Sequence, residues 1–154
     1  MEKHTHFLNA VAGKDYVLKT LKLQGYKWKN IVPINKGRYW LVEGANNPNI
    51  CIIYKSEWFL MFGKFAEKNN WADEKGNIQT GLGDTINKED LKTMLSNDVK
   101  KVIILYDPVG VTNKYIYEIE LHKFLCESFS WINKECKEVR SISIHKYRKL
   151  EEVE

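Results

Sequence analysis

The chain has 154 residues, 44% hydrophobic and 29% charged, with three prolines. That length suits a single domain, 1–154, and the apolar share can fill a packed core, which excludes a disordered chain. A formal net charge of +4 and a pI near 8.8 permit a nucleic-acid partner without demanding one.

Cys51, Cys126 and Cys136 form no C-x-x-C pair and leave one unmatched. Neither a disulfide framework nor a zinc site is expected, and a reducing, cytoplasmic setting is. No run reaches the ~18 apolar residues of a membrane span. The stretch Met1–Ala10 lacks the basic-then-apolar pattern of a signal peptide. No membrane partner is therefore expected. Five Trp, eight Tyr and six Phe make the chain aromatic-rich, chiefly for core packing.

Residues 7–24 read as an amphipathic helix, with Leu8, Val11, Leu18 and Leu21 near helical spacing and Lys14, Lys19 and Lys22 at polar positions. Gly13 weakens its first half, and Gly25 is placed as a C-terminal stop. Three strand-like runs follow at 28–34, 38–43 and 50–55, separated by Asn35-Lys36-Gly37 and by the polar stretch 44–49. The third is almost wholly apolar, as a central strand covered on both faces requires. Ser56 then caps a helix in which Trp58, Met61, Phe62 and Phe65 recur every three or four residues. A strand continuing through Trp58 and Phe59 is the competing reading. Residues 70–86 form a polar loop punctuated by Gly76, Gly81 and Gly83, expected to be the most mobile element.

Asn87 caps a helix running to about Asn97, with Glu89 and Asp90 in its first turn, where the helix dipole favours acids. Residues 101–106 form a strand of the buried type, and Tyr115, Tyr117 and Ile119 alternate as another. A helix over about 121–134 and a last strand over 139–147 precede a frayed tail at 150–154. The order α-β-β-β-α-α-β-β-α-β is that of a mixed α/β domain.

One stretch carries a family likeness. Thr85-Ile86-Asn87-Lys88-Glu89-Asp90-Leu91-Lys92 and the apolar strand behind it follow a helix, a strand and the hairpin Trp40–Gly44/Ile50–Lys55. This order resembles the archaeal Holliday junction resolvases of the PD-(D/E)xK nuclease superfamily over roughly residues 10–107, with 57–84 as an insertion. The resemblance implies a restriction-endonuclease-like central mixed sheet flanked by helices, a DNA partner and a homodimer. It also implies a centre on the hairpin, where two carboxylates hold divalent metal that activates water and a lysine adds positive charge at the phosphate.

Carried over residue by residue, Trp40 stands where the first acid belongs and Ile53 where the second belongs; Lys55 alone is retained. Neither an indole nor a sec-butyl group binds magnesium. The centre therefore reads as degenerate, with no metal ligand assigned and no cofactor expected unless catalysis survives. A displaced catalytic site would combine Lys55 with Glu57, two residues on, or with Glu43 at the end of the preceding strand. Both acids also read as solvated, Glu57 in a first helical turn.

Other constellations are weak. His4 and His6 lack a third ligand nearby, and Gly81-Leu82-Gly83 is an ordinary glycine pair before a helix. No Gly-x-Ser-x-Gly or P-loop pattern occurs. Basic residues gather as Lys27 and Lys29 around Trp28, as Lys100 and Lys101, and as Arg148 and Lys149 beside Tyr147. Lysine interleaved with aromatics suits phosphate neutralisation plus base stacking.

The expected function is nucleic-acid binding by a resolvase-like fold whose nuclease centre has decayed. The alternatives are an active Mg-dependent endonuclease with a displaced carboxylate, and a protein-interaction or dimerisation module. The first reading requires Trp40 and Ile53 to lie together.

Overall fold

An apolar run such as Ile50-Cys51-Ile52-Ile53-Tyr54 can hide both faces of a strand only at the middle of a sheet. The computed structural model puts it there, and it describes residues 2–34, 37, 39–55, 83–106, 115–133, 135–143 and 146–150. The elements are α1 (Glu2–Leu23), β1 (Trp28–Ile34), β2 (Tyr39–Gly44), β3 (Asn49–Lys55), β4 (Gly83–Asn87), α2 (Lys88–Ser96) and β5 (Val99–Tyr106). They continue with β6 (Tyr115–Glu120), α3 (Leu121–Glu127), β7 (Phe129–Ile132), β8 (Glu138–Ser143) and β9 (Arg148–Leu150).

Six strands form the main sheet in the order β1-β2-β3-β5-β6-β9, and three form a smaller sheet, β4-β8-β7. β1, β2 and β3 make an antiparallel meander. β5 runs parallel to β3, and β6 and β9 complete the sheet antiparallel. The fold is thus a mixed α/β arrangement, a central mixed sheet with helices packed on it.

Side-chain alternation divides the core into two layers. Ile50, Ile52, Tyr54, Ile103, Leu105 and Ile116 face α1, which contributes Ala10, Val17, Leu18 and Leu21. Cys51, Ile53, Val102, Ile104 and Ile119 face the other way, toward Leu91 and Met94 of α2, Phe124 of α3 and Ile142 of β8.

Local chemistry explains the helix ends. Gly25 takes φ +92, and Gly25 N–H donates to the Lys22 carbonyl at 3.0 Å while Tyr26 N–H reaches back to Leu21 at 2.9 Å. This paired pattern satisfies the last carbonyls of α1 and turns the chain into β1. Asn87 caps α2, its Oδ1 accepting from Asp90 N–H at 2.8 Å. Gly13 proves to be a packing residue: a Cβ there would lie 2.7 Å from Tyr54 Cδ1 and 2.8 Å from Leu105 Cδ2. A larger residue would hold α1 off the sheet.

Three expectations need correction. Residues 83–86 are not loop but belong to β4, which pairs with β8. The helix expected over 121–134 ends at Glu127, because Phe129-Ser130-Trp131-Ile132 pairs with β8 as β7. Arg140 secures that break: its guanidinium donates to Ser128 Oγ at 2.8 Å, to the Ser128 carbonyl at 2.7 Å and to the Leu125 carbonyl at 3.2 Å. Of the strand expected over 139–147, residues 139–143 belong to β8 of the smaller sheet, and β9 of the main sheet begins only at Arg148. The expected helix after Ser56 and residues 70–82 lie outside the described residues.

Candidate nucleic-acid interface

The hairpin of β2 and β3 is the place to look for a phosphate-cutting centre. Its register pairs Trp40 with Ile52 and Tyr39 with Ile53. Trp40 therefore faces the α1 layer and Ile53 faces the opposite one. The two positions carried over from the resolvases lie on different sides of the sheet, so the condition set for the resolvase-like reading is not met, and a nucleic-acid reading needs support from elsewhere in the molecule. The Trp40 indole is buried beneath the Lys14 ammonium, which sits 4.6 Å from its ring centroid, and its N–H meets no acceptor among the described residues.

A displaced site built on Glu43 and Lys55 is not brought together by the register. Val42 pairs with Ile50, so Glu43 lies at the far end of the ladder from Lys55, which closes β3 opposite Tyr106. The separation from Ile50 to Lys55 alone is roughly 17 Å at the rise of a strand. Glu43 instead lies 3.4 Å from Lys29 Nζ. Glu57 lies outside the described residues. Among the described residues no group of three His, Cys, Asp or Glu side chains could hold a metal.

The six basic residues singled out from the sequence do not form one patch. Lys29 stands at the irregularity between Trp28 and Asn30 and is taken by Glu43. Lys100 pairs with Asp98 at 2.9 Å. Lys101 lies 3.9 Å from Glu118 Oε2, while Arg148 donates through Nε at 2.8 Å and through Nη2 to Glu118 Oε1. Lys149 also has a partner. Lys27 is exposed and forms no ion pair among the described residues; its backbone N–H is held by Asn47 Oδ1 at 3.0 Å.

What sequence reading missed sits beside Lys27. Tyr26 and Trp28 stack with ring centroids 6.3 Å apart and planes 21° from parallel. Both rings pack on the α1 layer. Lys19 and Lys22 stand three residues apart near the end of α1, exposed and without ion pairs among the described residues. Tyr26 donates to the Pro48 carbonyl at 2.7 Å, and burial pushes its hydroxyl up to about 12. The corner of α1 and β1 thus carries a pair of stacked rings, with exposed Lys27 between them in sequence and exposed Lys19 and Lys22 in the last turns of α1. The available signal was the Gly25 stop, which sets the aromatics at the start of β1 directly after the last turn of α1.

No family model, curated protein or solved structure matches this chain. The reading of the site therefore rests on its own geometry. No helix among the described residues is long and apolar enough to cross a membrane.

Proposed function

We propose that this protein binds nucleic acid at the α1–β1 corner and does so without a nuclease centre on the β2–β3 hairpin. The observation that carries the reading is the stacked Tyr26–Trp28 pair, with exposed Lys27 between the two in sequence and exposed Lys19 and Lys22 in the last turns of the preceding α1. Ammonium groups without acidic partners among the described residues can neutralise phosphates, and partly exposed rings accept bases at about 1–3 kcal/mol each. The separation of Trp40 from Ile53, and of Glu43 from Lys55, argues against cleavage at the hairpin.

The test is fluorescence anisotropy with labelled single-stranded and branched DNA across a salt series. Binding should weaken steeply with salt, and Lys22→Ala or Lys27→Ala should each lower the salt slope by about one counterion. Trp28→Ala should weaken binding to single strands by about 1–3 kcal/mol. Absence of binding to either DNA at low salt sinks the reading. Cleavage with magnesium or manganese would restore the nuclease alternative.

A protein-contact reading is favoured by a different observation. β7 is an edge of the smaller sheet, and it exposes Trp131 (39%) and Ile132 (63%). Apolar edge strands invite strand addition from another chain. Sedimentation across a concentration series tests self-association: a dimer lost in Ile132→Lys supports it, and a monomer at every concentration excludes it.

A further inference from the structure

Beside the stacked rings, on the same layer, lies a cavity of about 240 Å³. Its walls are the turn that ends α1, with Gln24 and Tyr26, and the turn holding Asn47; Lys101, Glu118 and Arg148 come from the sheet, and Ile50 and Ile103 make an apolar floor. The placement follows from register. Ile103 pairs with Glu118 and Glu118 with Arg148, so β5, β6 and β9 present Lys101, Glu118 and Arg148 on one face, just past the end of α1.

Glu118 is the organiser. Its side chain is 11% exposed, and each of its oxygens faces a different cation, Oε1 to Arg148 and Oε2 to Lys101. Two cations against one carboxylate leave one positive charge. Donors are also left over. Arg148 spends Nε–H and one Nη2 proton on Glu118, leaving the remainder of its five N–H groups. Lys101 Nζ at 3.9 Å is beyond hydrogen-bond length, so its ammonium donors remain available. Asn47 accepts from Lys27 N–H through Oδ1, which orients its NH₂ away from that bond, without a partner among the described residues.

We infer that this cavity receives the terminal phosphate monoester of a nucleic-acid strand whose end stacks against Tyr26 and Trp28. The inference rests on the nucleic-acid reading and names the part of the ligand it would recognise. A monoester presents three terminal oxygens, and donors approach from three elements, Lys101 on β5, Arg148 on β9 and Asn47 in the turn. An internal diester offers two such oxygens and must leave the cavity at both ends, whereas the α1 turn and the Asn47 turn wall it on two sides. Arg148 supplies the planar fork that suits phosphate.

The experiment uses the full chain and single-stranded oligonucleotides with a 5′-phosphate, a 3′-phosphate or hydroxyls at both ends, read by anisotropy with inorganic phosphate as competitor. One phosphorylated strand should bind at least fivefold tighter than the hydroxyl-ended strand, and inorganic phosphate should erase that preference. Arg148→Gln and, independently, Lys101→Gln should reduce it to within twofold, with far-UV circular dichroism verifying each fold. Equal binding of all three strands overturns the inference while leaving the nucleic-acid reading standing. A preference that survives in both variants also overturns it. If no strand binds, the nucleic-acid reading fails and this inference fails with it.

Discussion

The two faces of the main sheet are held by different means. On one, the 22-residue α1 lies against β3 and β5, close enough that Gly13 has no room for a Cβ. On the other, two short helices and a three-stranded sheet share the cover, and polar bonds tie them together. Arg140 clamps the end of α3. Ser141 Oγ accepts from Trp131 Nε1 at 2.7 Å and lies 2.7 Å from Thr85 Oγ1, joining β4, β8 and β7. A long helix can dock by shape alone, whereas elements of seven to nine residues are marginal by themselves and need directed bonds as well as apolar burial.

Substitutions can break or sharpen that contrast. Phe124, fully buried on the two-helix face, should cost about 3–5 kcal/mol as Phe124→Ala; urea unfolding checks it, and a loss under about 1 kcal/mol would deny α3 its part in the core. Arg140→Met should cost about 1.5–3 kcal/mol, since charged donors leave two carbonyls and a hydroxyl behind. The same substitution at exposed Lys19 should be nearly neutral, and equal losses would remove the clamp from the comparison.

On the α1 face, Gly13→Ala sets overpacking of about 1–3 kcal/mol against about 1 kcal/mol of helix propensity. Net destabilisation is expected in thermal unfolding; a gain would show that the helix shifts freely and that its fit is loose. The smallest effect concerns pH. The Tyr26 hydroxyl is raised from 10.0 to about 12 by burial, so the folded state holds that proton more tightly than the unfolded chain. Its contribution is complete below pH 10 and is lost as pH rises through 12. Thermal unfolding of Tyr26→Phe should decline less steeply than wild type over that window; identical profiles would place the hydroxyl in water.

Much of the architecture was legible because it is local. β1 was read at 28–34 and observed there, the Gly25 stop and the Asn87 cap act as their chemistry requires, and the apolar run of β3 marked the sheet's centre. The C-terminal third was less legible. Phe129-Ser130-Trp131-Ile132 is short and follows a helix, so its strand identity depends on β8. Residues 139–147 alternate throughout in sequence, yet pairing places 139–143 in the smaller sheet and starts the next strand, in the main sheet, only at Arg148. For the site, Lys27 and Trp28 were legible as a basic aromatic cluster, while the stacking of Trp28 on Tyr26 was not.

By itself the sequence determined the mixed α/β class, the helix caps and the apolar centre, since propensity, capping and hydrophobic period act within a few residues. Tertiary structure alone decided that Trp40 and Ile53 turn their backs on each other, that Glu118 gathers Lys101 and Arg148, and that Tyr26 stacks on Trp28 against the α1 layer. Those relations depend on strand register and on which helix covers which face, and a shift of one residue would reverse every one of them.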